Sequence, residues 1–165
     1  MATAIRTPRL ALVVPRRTSF TAWNAPVEIE MTGSVDLLSG ARALVERLER
    51  RWDPASRDSD LHRLAAMAGT MVTVEPETLA LVELAARAAW KRPDAPAALH
   101  DIVIDSRRDR VGLPADGLLD LRGMVPVLTA ALLVRYLGEH GATSVRVRVD
   151  GIIRETRAAR QAAAA

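Results

Sequence analysis

The 165-residue chain has no cysteine, which excludes thiol catalysis, disulfides and a thiolate-bound metal. Aromatic residues make up only 3% of it, with one Phe and one Tyr. Proteins that bind single-stranded nucleic acid stack bases on aromatic rings, and this chain has few rings to offer. We expect a core of Leu, Val, Ile and Ala in one domain, large enough to need no covalent or metal cross-link.

Lysine is almost absent too, since Lys91 is the only lysine among 23 basic residues. The net charge is +3 and the isoelectric point is about 10.4. Arginines alternate with acids, as in "RALVERLERRWD" and "DSRRDRVGLPADG", which is typical of solvated helix faces and turns. A surface that binds nucleic acid carries charge of one sign. The sequence therefore predicts no nucleic-acid partner.

Long apolar runs are also missing, and no segment approaches the ~20 residues that a membrane span requires. The apolar patch at residues 10–14 is too short for a signal peptide and is followed by Pro15 and two arginines. We expect a cytoplasmic protein without a membrane partner.

Two kinds of periodicity are present in the first half of the chain. Residues 27–31 alternate apolar and polar side chains, which predicts a half-buried strand. From Asp36, the expected N-cap, apolar residues recur at helical spacing as far as Trp52 and predict an amphipathic helix. A second, short helix is expected after Asp58 or Ser59 as its cap.

The remaining elements follow from alternation, helical spacing and turn residues. In chain order they are a strand at 71–74, a helix that begins with Pro76, a hairpin of 101–105 with 110–114, a strand at 117–121, a helix at 125–139 and a strand at 144–149. Arg146 and Arg148 alternate with valines in the last strand, so we expect one of its faces to lie in water or the strand to lie at an edge of the sheet.

These elements predict an α+β fold with a mixed or mostly antiparallel sheet and two or three helices packed on it. The expected organisation is a flexible segment over residues 1–17, one domain over 18–151 and a tail over 152–165. The tail segment "RETRAARQAAAA" has no apolar stripe, so we expect a frayed helix or disorder there.

Three segments in order resemble the ApbE family of flavin transferases: "SDLHRLAAMAGTMVTVEPETLALVELA", "RVGLPADGLLDLRGM" and "GATSVRVRVDG". The resemblance runs from about residue 18 to residue 151. It implies a reduced form of that family's T-fold-like domain and transfer of FMN from FAD to a threonine of a target protein. FAD, Mg²⁺ and a target protein are the implied cofactors and partner, with a homo-oligomer or a full-length family member as further possible partners.

The resemblance also implies the site residues. The family's early Met-Gly-Thr motif falls on residues 23–25, its Ser-Glu-Leu motif on 59–61, and its Leu-Asp-Leu-Gly-Gly turn on 119–123. Flavin-binding positions are thereby implied at Trp23, Asn24, Ser59, Asp120, Arg122 and Gly123, and a magnesium contact at the backbone carbonyl of Val125.

Several family residues are replaced in this sequence. Arg122 stands where the family has a glycine, and the family's Ala-Lys-Gly becomes Val125, Pro126 and Val127. The change from Lys to Pro deletes a charge and an amide donor together. The family's Gly-Phe-Asp-Pro-Thr segment is replaced by "KRPDAPAALH", and its distal magnesium ligands have no counterpart here.

Cleavage of a pyrophosphate needs a cation fixed against the developing charge on its oxygens. We therefore expect a transferase homologue that is impaired or inactive. A non-catalytic flavin-binding or scaffold protein is the alternative.

Some residues have two interpretations. Asp120 is either a functional carboxylate or an acceptor for turn amides, and Arg122 either grips a phosphate or covers a disused site. Ser59 is expected to be an N-cap rather than a nucleophile, since no G-x-S-x-G frame surrounds any serine. The tryptophans are expected to pack in the core or at its edge. The three histidines share no metal-ligand spacing.

Overall fold

The computed structural model describes residues 14–91, 101–115 and 119–157. The strands are β1 (Arg16–Ala22), β2 (Ala25–Thr32), β3 (Met71–Thr73), β4 (Val103–Asp105), β5 (Arg110–Gly112), β6 (Ser144–Val149) and β7 (Ile152–Arg157). The helices are α1 (Asp36–Arg51), α2 (Asp60–Ala66), α3 (Pro76–Ala89) and α4 (Val125–Glu139).

Two antiparallel sheets contain all seven of these strands. The larger has the order β1-β2-β6-β7 and the smaller the order β3-β5-β4. The α+β prediction is confirmed, with four helices in the described residues where two or three were expected. The strand at 27–31, the 101–114 hairpin, the Pro76 helix start and the helix at 125–139 are confirmed as well.

Tight turns build the larger sheet. Trp23 and Asn24 join β1 to β2 with φ angles of 50° and 58°, and Asp150 and Gly151 join β6 to β7 with φ angles of 45° and 79°. A two-residue turn with φ > 0 at both positions matches the twist of the strands that it joins. β2 and β6 are the inner strands of these two hairpins, and they pair with each other at the centre of the sheet.

Helices α1 and α4 lie between two core clusters. Apolar residues on the inner face of the larger sheet pack against one part of each helix, including Val45 and Leu133. Other residues of the same helices, including Leu48 and Leu132, join α2, α3 and the smaller sheet in the second cluster. Because both helices contribute to both clusters, they connect the two sheets into one body. Burial of one such aliphatic side chain contributes about 1.5–3 kcal/mol to the free energy of unfolding.

Residues 152–157 are a correction to the sequence analysis, which placed a tail there. They form β7, paired along its whole length with β6. The sharp turn at Asp150 and Gly151 brings the chain back onto β6, so backbone hydrogen bonds hold a segment that has no apolar stripe. The predicted tail beyond residue 157 lies outside the described residues.

The predicted strand at 117–121 is also wrong where the structure describes it. Residues 119–121 are irregular, and residues 116–118 lie outside the described part. The carbonyl of Leu121 accepts the amides of Met124 at 2.8 Å and Val125 at 3.1 Å. These bonds turn the chain directly into α4, so Leu121 is buried without a sheet partner.

Two smaller predictions need correction at their boundaries. Asp36 is the first residue of α1 rather than its N-cap, which is Val35. Arg16 and Arg17, assigned to a flexible segment, begin β1. Residues 1–13 and the linker at 92–100 lie outside the described residues. Among the residues described, no helix has the length and apolarity to cross a bilayer.

Candidate functional site

The turn before α4 is closed by an ion pair between Arg122 and Asp120. The Nε of Arg122 donates to Oδ1 of Asp120 at 3.0 Å, and one terminal nitrogen donates to Oδ2 at 3.0 Å. The backbone amide of Arg122 donates to the same Oδ1 at 3.1 Å. Asp120 therefore acts as the acceptor for a turn amide, one of its two expected roles.

This pair lies in water, with 92% of the Arg122 side chain and 62% of the Asp120 side chain exposed. The side-chain and backbone hydrogen bonds from Arg122 lower the pKa of Asp120 below its usual value, against a small opposing effect of burial. The same contact raises the pKa of Arg122. Two of the Arg122 nitrogens that would bind a phosphate are thus already occupied by a carboxylate.

The N-terminus of α4 offers few free amide donors to an anion. The amides of Met124 and Val125 both donate to the Leu121 carbonyl, and Pro126 has no N–H. A helix N-terminus binds phosphate through free amides together with its dipole. At Met124, Val125 and Pro126, the sequence and the fold have therefore used or removed these donors.

The residues at this turn do not fit a magnesium ion. Val125 is the first residue of α4, so its carbonyl faces along the helix and accepts the hydrogen bond of the next turn. Mg²⁺ prefers carboxylates and retained waters in octahedral order, and Asp120 is engaged by Arg122. In the described ranges 14–91, 101–115 and 119–157, no three acidic or histidine side chains are grouped to hold a metal.

Gly123 keeps the turn open on one side. A Cβ added at this glycine would meet no atom within 4 Å, so its backbone is accessible from solvent. A flat ring system can approach such a backbone closely. The assignment of Gly123 to a flavin site stays a prediction.

Trp23 and Asn24 form the hairpin turn between β1 and β2. The ring of Trp23 stacks on that of Trp52 with centroids 6.0 Å apart, and its backbone amide donates to the Glu49 carboxylate at 2.7 Å. The Nε1 of Trp23 is buried and has no hydrogen-bond partner. The Trp23 ring thus packs at the edge of the core, as expected, and Asn24 is exposed beside it.

Ser59 is the N-cap of α2 and is 1% exposed. Its hydroxyl oxygen accepts the backbone amide of His62 at 3.0 Å. The capping prediction is confirmed, and Ser59 as a flavin contact stays a prediction.

Asp60 is a buried carboxylate that the sequence analysis did not single out. Its Oδ1 accepts from Arg63 at 2.6 Å, and its Oδ2 accepts from the Thr78 hydroxyl at 2.7 Å and the Glu75 amide at 3.1 Å. It thereby fixes the start of α3 to the start of α2. Near Asp60 in the sequence, only its place after the cap and the nearby Arg63 pointed to this role. Its partners Glu75 and Thr78 lie 15 and 18 residues further along the chain.

The predicted site residues fall into three groups. These are the hairpin turn at Trp23 and Asn24, the helix cap at Ser59, and the turn that contains Asp120, Arg122 and Gly123. Trp23, Leu119 and Met124 pack against one core cluster, so the hairpin and the α4 turn share a base. In the described part of the chain, no hydrogen bond or ion pair joins Trp23, Asn24 or Ser59 to the Asp120 and Arg122 pair.

Comparison by sequence gives no match, either to a protein-family model or to a curated protein. Solved structures match by fold. The apo form of the flavinyl transferase ApbE from Pseudomonas stutzeri gives a TM-score of 0.74 over 88% of this chain, at 15% identity. The ApbE protein of Thermotoga maritima gives 0.70 over 86% at 13% identity, and the flavin transferase ApbE from Vibrio cholerae gives 0.66 over 86% at 17% identity.

The chain spans 62% of the Pseudomonas structure and 59% of each of the other two. At these identities the likeness concerns the backbone arrangement, and it agrees with the resemblance drawn from the motifs. The chain has the fold of the ApbE flavin transferases.

Proposed function

We propose that this chain is a homologue of the ApbE flavin transferases in which magnesium-dependent transfer of FMN from FAD to a target-protein threonine is impaired or lost. The observation that supports this most directly is the three-bond contact of Arg122 with Asp120 at the turn before α4. The shared fold supports the homology, and the chemistry of the turn supports the loss.

A transferase has to hold the pyrophosphate of FAD while one of its P–O bonds breaks. The enzyme needs donors or cations already placed where charge develops on the phosphate oxygens. Here Arg122 is neutralised by Asp120, and Pro126 replaces the family's lysine. The amides of Met124 and Val125 are bonded to Leu121. These four residues therefore supply little of the positive charge that the reaction requires.

A second candidate is a flavin-binding protein or scaffold without catalysis. The open space around Gly123 favours it, because a flavin ring or ribityl chain needs access to the backbone but no preorganised charge. Binding without transfer would then be the remaining function of the turn.

The test is a titration of FAD fluorescence with purified protein, with and without Mg²⁺, followed by an assay for AMP release and flavin attachment to a threonine peptide. The proposal predicts that AMP release by the natural chain is absent or far slower than release by a full-length ApbE transferase assayed beside it. Magnesium-dependent AMP release and peptide labelling at the rate of that enzyme would refute it. Saturable quenching without release would select the flavin-binding candidate, and no quenching would leave a scaffold.

A restored variant makes the test sharper. It combines Arg122→Gly, Val125→Ala, Pro126→Lys and Val127→Gly, which restores the residues of the family's motif at these four positions. We expect it to quench FAD fluorescence more strongly than the natural chain. The matched control is Arg108→Gly, which removes an exposed arginine that pairs with Asp105 across another turn at 3.8 Å. This control should leave FAD binding unchanged.

A further inference from the structure

The outer face of the larger sheet carries an ordered pattern of charge. Strand register places eight of its residues in two rows across β1, β2, β6 and β7. One row is Arg17, Glu30, Arg146 and Glu155, and the other is Ser19, Glu28, Arg148 and Ile153. We call these eight residues the charged face. The opposite face of β1, β2 and β6 is the apolar core face.

Within one copy the charged face already forms ion pairs. Arg17 contacts Glu30 at 3.1 Å, and Arg146 contacts Glu155 at 3.0 Å. In the second row, Arg148 lies 3.6 Å from Glu28.

The face also has unused capacity for contacts. The Nε of Arg148 is buried and has no acceptor. A groove of about 530 Å³ runs over the face along β1, β2 and β6. The charges are therefore held in place by their neighbours, while the groove leaves space for side chains of a partner.

We propose that the charged face binds the same face of a second copy of this chain, with a two-fold axis that runs parallel to the strands between β2 and β6. This rotation brings β1 over β7 and β2 over β6 of the other copy. Arg17 then faces Glu155, Glu30 faces Arg146, and Glu28 faces Arg148. Every charged position of both rows meets a charge of opposite sign.

The pattern also excludes the other face-to-face arrangement. A two-fold axis perpendicular to the strands keeps each strand over itself and exchanges the two rows. Glu30 would then face Glu28, and Arg146 would face Arg148. Since like charges brought together cost binding energy, the sequence of signs selects one orientation and disfavours the other.

The size of the face sets the expected strength. Four strands by about six residues, at ~4.8 Å between strands and ~3.4 Å per residue, cover on the order of 400 Å² per copy. Stable complexes bury about 800 Å² per partner. The dimer is therefore weak, forms at high protein concentration and is held mainly by charge. It does not depend on the proposed flavin chemistry, because none of its residues belongs to the α4 turn.

The first measurement is sedimentation of the full chain over a range of concentrations at low and high salt. We expect the weight-average mass to rise towards twice the monomer mass at low salt. Between about 20 mM and about 500 mM NaCl the Debye length falls from about 20 Å to about 4 Å, so the dissociation constant should rise at least tenfold. A monomer at all concentrations at low salt would overturn the proposal.

Two single charge reversals test the orientation. Arg146→Glu places a second carboxylate against Glu30 of the other copy, and Glu30→Arg places a second guanidinium against Arg146 of the other copy. Each variant alone should lose dimerisation. In an equimolar mixture, every charged position of one variant faces an opposite charge on the other, so dimers should return. Circular dichroism melting of each variant checks that it is folded.

The mixture distinguishes charge contacts between two copies from charge contacts within one sheet. Recovery of dimers only in the mixture establishes complementary contact between copies. Variants that each still dimerise, or a mixture that stays monomeric while both variants are folded, would show that the charges act only within one sheet. An association of the natural chain that salt strengthens would point to the apolar residues of β7 instead and would also overturn the proposal.

Discussion

The hydroxyl of Thr78 donates a 2.7 Å hydrogen bond to Oδ2 of Asp60 inside the core, and the indole Nε1 of Trp52 donates to the Thr78 oxygen at 3.1 Å. Trp52 ends α1, Asp60 begins α2 and Thr78 lies in the first turn of α3. One buried chain of hydrogen bonds thus fixes the relative positions of three helices.

Removal of the Asp60 carboxylate should therefore destabilise the fold. Asp60→Ala leaves the Thr78 hydroxyl and the Glu75 amide without an acceptor, and each unsatisfied buried donor costs about 1–3 kcal/mol. We expect urea unfolding to show a loss of about 2–4 kcal/mol. Asp60→Asn keeps one acceptor oxygen and should cost less. Asp58→Ala, an exposed neighbour, is the control and should change stability by less than about 0.5 kcal/mol.

The cap of α2 gives a second stability prediction. Ser59→Ala removes the oxygen that accepts the His62 amide, so the free energy of unfolding should fall by about 1 kcal/mol. Ser39→Ala, at an exposed position inside α1, serves as the control, and alanine should be neutral or slightly stabilising there. Equal effects of the two substitutions would contradict a capping role.

Titration of Asp120 tests the turn contact. Hydrogen bonds from Arg122 lower the pKa of Asp120, so the ionised form is favoured in the folded chain. The resulting stabilisation is present above the ordinary pKa of aspartate and is lost as the pH falls through the lowered folded value. It is small because the pair is exposed.

The expected result is a carboxyl carbon NMR shift of Asp120 with a midpoint below that of an ordinary aspartate. Arg122→Gly should move this midpoint upward, because the two side-chain hydrogen bonds disappear. Arg108→Gly, at a distant turn, should leave it in place. An unmoved midpoint in Arg122→Gly would mean that the contact is absent in solution.

Two helical glycines should respond in opposite ways to alanine. Gly138 in α4 has no atom within 4 Å of an added Cβ, so Gly138→Ala should stabilise the chain by about 0.5–1 kcal/mol through helix propensity. A Cβ at Gly40 in α1 would overlap the Tyr136 hydroxyl and lie 3.0 Å from its Cζ. We expect Gly40→Ala to destabilise the chain, with smaller effect in a Tyr136→Phe background. The measurement is the thermal melting of Gly138→Ala, Gly40→Ala, Tyr136→Phe and the Gly40→Ala, Tyr136→Phe double variant. The steric account is refuted if Gly40→Ala stabilises the chain as much as Gly138→Ala does.

Local signals were sufficient where a segment carries its own boundary residues. Helix α4 begins and ends as predicted, because Pro126 suits a first helical turn and Gly141, at φ 96°, follows the last one. The cap at Ser59 and the helix start at Pro76 were predictable for the same reason.

The candidate site was less predictable, since its geometry depends on contacts between segments. The motifs located the turn at residues 119–123, and its local hydrogen bonds agree with the interpretation of Asp120 as an amide acceptor. The role of Asp60 was missed because its partners Glu75 and Thr78 belong to a different helix. The pairing of β7 was missed because an edge strand needs no apolar stripe once a turn directs it onto a neighbour.

The sequence by itself determined the periodicity, the caps and the presence of Arg122 and Pro126 at the α4 turn, because these depend on residue type and on neighbours within about one helical turn. Only the tertiary structure decided that the strands divide into two sheets, that Asp60 and Thr78 together join three helices, and that the charges on β1, β2, β6 and β7 fall into two ordered rows. Each of these depends on strand register and on packing between residues far apart in the chain, which local periodicity does not specify.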